Sequence, residues 1–190
     1  MRLMLRPALV LLLAMTVLTG VLYPRAITGL ANLLFVNQAG GSLVIRGGKA
    51  VGSRLIGQSF NDPRYFWGRP SATAPFPNNA AASGGSNQGP LSPALIDAVK
   101  ARIQALQAVD PGRHGAVPVD LVTASASGLD PHLSVAGIEY QAARVARARG
   151  IPVTDVKALV SRHIEGRFLG MIGEPRVNVL ALNLALDTLR

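Results

Sequence analysis

The sequence predicts an α+β or small α/β chain: a single N-terminal transmembrane helix followed by one compact exported domain with a small sheet and about four helices. Three observations carry this. An uncharged apolar run of 17 residues, Pro7–Tyr23, lies between Arg6 and Arg25. Beyond it, apolar residues recur at helical 3-and-4 spacing in three stretches, separated by short β-prone runs. The 190 residues leave room, with the apolar segment set aside, for one core of ordinary size.

The first element is the anchor, residues 1–36, with a span at about 7–25 on which Pro7, Leu12, Val17 and Tyr23 lie. Six Leu and three Val dominate the run. On insertion scales they contribute roughly −3 to −5 kcal/mol, which offsets Thr16, Thr19 and Gly20. A cleaved secretory signal shares the basic start, but its apolar part is usually about 7–15 residues and ends at a small-x-small site. No A-x-A follows this run; Ile27, Leu30, Ala31 and Leu34 instead continue a helical face. Arg2, Arg6 and the N-terminal amine outweigh Arg25, so the positive-inside rule puts the N-terminus in the cytoplasm and residues 37–190 outside.

In that domain, Gln38–Ile45 reads as a Gly-rich entry and a short strand, with Gly47-Gly48 turning into a second short element around Val51–Ile56. From Asn61 to Pro93 the chain is punctuated by Pro, Gly, Asn and Ser, but Tyr65, Phe66, Trp67 and Phe76 predict an ordered loop pinned to the core. Ser92 and Pro93 start a helix whose apolar positions are Leu95, Ile96, Val99, Ile103 and Leu106. The Val-rich start of VPVDLVTASASG is β-prone. Ser134 caps a helix that Gly150 ends, and Thr154 opens another with Val156, Leu159, Val160 and Ile164 on one face. Val177–Leu189 starts like a strand and ends like a helix, with Asn183 and Asp187 sharing a face.

Charge and composition narrow the function. Outside the anchor there are 16 basic and 10 acidic residues, a scattered excess of +6. A nucleic-acid binder would cluster its cations with interleaved aromatics, so no nucleic-acid partner is expected. There is no cysteine, which excludes disulfides and thiolate metal sites. His114, His132 and His163 form no HExxH pattern. Ser83 in SGGSN is not a G-x-S-x-G elbow, and GGSLVIRGGKA fails as a P-loop because Leu43 stands at the first Gly position and Ala50 replaces Ser or Thr. With no nucleophile, base and orienting group at recognisable spacing, no catalytic or metal-ligating residue and no covalently bound cofactor is assigned. The alternative class is a secreted nucleotide- or ligand-binding module released by signal cleavage.

Long stretches in order along the chain carry a resemblance: the anchor ending in LYP, then GSLV, GSRLIGQSF, YFWGRPSAT, ASGGSNQGPLSP, VPVDLVTASASGLDPHLS, RVARARG and GEPRVNVLALNLALD. By these the chain resembles the C subunits of the bacterial Kdp potassium-transporting P-type ATPases. The resemblance implies a non-catalytic, single-pass inner-membrane subunit that assembles with three partners: a channel-like potassium-translocating subunit, a P-type ATP-hydrolysing subunit and a very small stabilising subunit. It also implies raising the ATP affinity of the pump subunit as a catalytic chaperone, with ATP met only through the complex. Capping the potassium entrance or holding the subunits together follows more directly from a domain outside the membrane. Arg64 and Arg69 beside Tyr65 and Trp67 form a candidate partner-docking cluster, because Arg and aromatics dominate interface hot spots. Gln141 and Arg144, an amide and a cation on adjacent helical turns, are the candidate nucleotide contact.

Overall fold

A computed structural model describes residues 2–189. The chain divides into two compact units, Met1–Leu43 and Val44–Arg190.

The first unit is nearly continuous helix. Helix α1 runs Arg2–Val17, a π-helical turn occupies Leu18–Leu22, and α2 runs Tyr23–Leu34 before the short α3, Val36–Ala39. Met4–Leu34 makes one apolar helix of 31 residues, long enough to cross a bilayer with length to spare. The helix passes through Pro24 without a break. The Tyr23 amide donates to Leu18, five residues back. That widened turn lies where the Pro24 ring would otherwise press on the carbonyl four residues before it.

The second unit opens within a hairpin, β1 Leu43–Arg46 and β2 Lys49–Ser53. Gly47 and Gly48 both take positive φ, +55° and +75°, as the two-residue turn between them requires. A three-stranded antiparallel sheet is ordered β3 (His132–Ser134), β5 (Arg176–Asn178), β4 (Ile164–Glu165). Its register sets Leu133 and Ile164 opposite Val177, and Val177 and Leu133 point into the core at 0% and 1% exposure.

Helix α4, Pro93–Val109, packs on the core through Leu106, which is buried, and Val99 and Ile103, which are partly buried, while Ile96 lies on the exposed side. The β-prone run at 117–122 is instead a single helical turn, α5, Val119–Val122. Asp120 decides this, since its carboxylate accepts the Ser134 amide at 2.7 Å and a strand would carry it away. Ser134 Oγ accepts the Gly137 amide to cap α6, Val135–Arg149, and Gly150 ends it in the left-handed region. Helix α7 spans Val153–Arg162, starting one residue before Thr154, and α8 spans Val179–Leu186. Phe66, Ile138, Val145, Val156, Leu182 and Leu186 form the centre of the core, each at 0% exposure.

The SGGSN segment folds against residues 126–128. Ser83 Oγ and the Gly84 amide both donate to the Ser127 carbonyl. A Cβ on Gly85 would lie 2.9 Å from the Ala126 carbonyl oxygen; one on Gly128 would lie 2.7 Å from that of Gly84, at a φ of +68°. The glycines there allow backbone to meet backbone. Gly128→Ala is expected to cost about 2–3 kcal/mol from positive φ and overpacking together, read as a lowered urea midpoint. A midpoint within error of the parent would remove this account of the segment.

Candidate docking surface

The loop from Phe60 to Pro70 is held from below by polar side chains of α6 and α8. Phe66 is wholly buried, and its amide and carbonyl are both taken by Asn183, at 2.9 Å each. Trp67 repeats the arrangement with Gln141, which accepts its amide at 2.9 Å and donates to its carbonyl at 3.1 Å. Each carboxamide thus replaces a neighbouring strand, satisfying main-chain groups that burial would otherwise leave unpaired.

Arg144 completes the clamp. It donates to the carbonyls of Pro63 and Tyr65 and to Gln141 Oε1, and its guanidinium lies 5.0 Å from the Trp67 ring centre. Burial pushes its pKa down to about 10, against the pull of Asp110 and Asp62, so it stays charged at neutral pH. Gln141 and Arg144 are 1% and 3% exposed, so both lie buried beneath the loop they hold. Helix α6 also sends Arg149 to the Arg64 carbonyl, at 2.7 Å, and over the Tyr65 ring.

Above this clamp lie the residues chosen from the sequence as a docking cluster. Arg64 is exposed and forks onto Asp62, which the guanidinium hydrogen bond holds down to a pKa of about 2. Tyr65 packs against Phe60 with ring centres 5.6 Å apart. Arg69 reaches Asp130 at 3.2 Å, while its buried Nε has no hydrogen-bond partner among the described residues. Trp67 and Arg69 open onto a pocket of about 220 Å³ that Phe60, Asn78, Arg102 and Leu121 also line. Among the described residues, two arginines and no carboxylate line that pocket. Arg102 donates to the Val122 carbonyl and its pKa is lowered by burial.

Asp130 is held down to about 2, chiefly by the side-chain hydrogen bond with His132 and, further down, by Arg69. For a depressed carboxylate the stabilisation is full above its unfolded value, near pH 4, and is lost as pH falls through about 2. Acid titration should therefore lower the unfolding midpoint between about pH 4 and pH 2, and Asp130→Asn should flatten part of that fall. An unchanged slope in the variant would show that Asp130 is not one of the groups responsible.

Sequence reasoning did not single out Asn183 or Arg149 as clamp residues. A lone Asn in the apolar run LALNLAL was the available signal, because a buried carboxamide requires partners. Among the described residues, no group of three or more His, Asp or Glu could hold a metal ion.

One helix is long and apolar enough to cross a membrane, and the domain that follows it spends its buried Gln141, Arg144 and Asn183 on its own backbone. The family model described as "KdpC: K+-transporting ATPase, c chain" matches residues 5–188. The chain belongs to this family and is an accessory chain of a potassium-transporting ATPase. It is similar to the potassium-transporting ATPase KdpC subunit of Polaromonas naphthalenivorans (strain CJ2), 66% identical over all of this chain and 97% of that one. It is also similar to that of Variovorax paradoxus (strain S110), 67% identical over 96% of this chain and 94% of that one. The corresponding subunit of Methylibium petroleiphilum is 63% identical over 98% of each.

Proposed function

We propose that the chain is the single-span subunit that holds a potassium-uptake ATPase together from the extracytoplasmic side of the bacterial inner membrane. The family match over residues 5–188, covering both anchor and domain, carries this reading. Arg2 and Arg6 before the uncharged run Pro7–Tyr23, against Arg25 after it, favour the outward placement of the domain. The helix gives lateral packing in lipid. The domain gives an ordered face around Arg64, Tyr65, Trp67 and Arg69, whose positive pocket suits an acidic side chain of a partner.

The partners are the channel-like potassium-translocating subunit, the P-type ATP-hydrolysing subunit and the small stabilising subunit. A domain docked outside sits beside the potassium entrance. Gln141 and Arg144 are already engaged by the loop, so an effect on ATP affinity reaches the pump subunit through subunit contacts, not through nucleotide held by this domain.

The test uses the absence of cysteine. Single Ser86→Cys and Ser161→Cys variants, both at exposed positions, are labelled in spheroplasts with a membrane-impermeant maleimide. Labelling before lysis is expected. If the isolated subunit labels only after lysis, the outward placement falls and a direct nucleotide contact returns.

A further inference from the structure

The hairpin that joins β4 to β5 ends in an exposed apolar cluster. Phe168, Leu169, Met171 and Ile172 are 69%, 74%, 77% and 62% exposed. The turn that presents them is tightly built. The amides of Phe168 and Ile172 each donate to the other's carbonyl, at 2.8 and 3.0 Å, and those of Gly170 and Met171 donate to Arg167 and Phe168. Leu169 and Gly170 take φ values of +52° and +74° to close it. Below the tip, Arg167 pairs with Glu174 at 3.0 Å and Arg176 with Glu165 at 3.2 Å.

We propose that this arm, residues 165–176, is a docking knob that inserts into an apolar pocket with a polar rim on a membrane-embedded subunit of the same ATPase. The inference rests on the reading of the chain as an assembling subunit. Large apolar side chains grouped on a soluble surface mark an interaction site. A turn whose main chain is bonded before contact loses little conformational freedom on binding.

The charges decide between protein and lipid. A membrane-surface anchor surrounds its apolar residues with unopposed Lys and Arg, and interfacial Trp or Tyr is common there. Here two arginines at the base are each matched by a glutamate, and neither Trp nor Tyr is at the tip. An apolar centre inside a balanced polar rim is the anatomy of a protein interface. The flexible thioether of Met171 suits a pocket whose shape it must fill. Four side chains fall well short of the roughly 20–30 residues a side of a standard interface, so the knob is one anchor within a larger contact.

The test is made on the whole complex in nanodiscs. Met171→Cys, the only thiol in the chain, carries an environment-sensitive fluorophore. The probe is expected to shift to the blue when the chain is assembled with its partners, and to be quenched by neither aqueous iodide nor spin-labelled lipid. Quenching by iodide in the assembled complex overturns the proposal. Quenching by lipid assigns the arm to the bilayer instead, and a disulfide between two copies on oxidation assigns it to a second copy of the chain. Leu169→Glu with Met171→Glu, both exposed in the parent, should reduce retention in the complex at least tenfold while the emission of Trp67 in the unassembled chain is unchanged; undiminished retention also overturns it. Failure of the parent chain to co-purify overturns the assembly reading and the knob together, whereas co-purification with an exposed probe removes the knob alone.

Discussion

Asn183→Leu is expected to destabilise the domain by about 4 kcal/mol, although it makes the run from Leu180 to Leu186 wholly apolar. On hydrophobic pattern alone the substitution would be stabilising, since the position is 1% exposed in a helix of leucines and alanines. The opposing effect is larger. Asn183 is the hydrogen-bond partner of both the amide and the carbonyl of Phe66, and that residue is wholly buried. Each main-chain group left unpaired costs about 1–3 kcal/mol, and leucine offers neither a donor nor an acceptor. Urea unfolding followed by the emission of Trp67, the only tryptophan, measures it directly. A loss below about 1 kcal/mol would mean that water or a shifted loop satisfies Phe66 in the variant.

Phe66→Ala should cost about 3–5 kcal/mol by the same measurement, as expected for emptying a fully buried aromatic site. Its consequences should extend to the surface. Phe66 is the inward residue between Tyr65 and Trp67, so its side chain fixes the height at which the loop meets Gln141 and Arg144. With the ring gone, Trp67 emission in the folded variant should move to the red and retention in the ATPase complex should weaken. A destabilised variant with parental emission and parental retention would separate the core role of Phe66 from any role in presenting the docking face.

Local signals made much of the fold readable. Ser134 and Gly150 bound α6 because a side-chain cap and a left-handed terminator act over a few residues. Gly47-Gly48 specifies the hairpin turn for the same reason. Other elements depended on distant partners. Val119–Val122 is β-prone in composition, yet the bond from Asp120 to the Ser134 amide holds it as a helical turn. Strand β4 has two residues and exists only through pairing with β5. Gln141 and Arg144 are legible in the sequence only as an amide and a cation on adjacent helical turns, and it is the loop laid over them that buries both.

The lipid-length helix, the apolar periodicity of the core helices and the family were legible in the chain alone, because these reside in composition, periodicity and long contiguous motifs. The tertiary structure decided which polar residues are spent on the loop and which face outward. It also decided that the apolar residues 168–172 stand free at a hairpin tip rather than in the core. The physical reason is that burial and hydrogen-bond satisfaction depend on what packs above a residue, and that neighbour lies 74 residues away for Gln141 and Trp67 and 117 for Asn183 and Phe66.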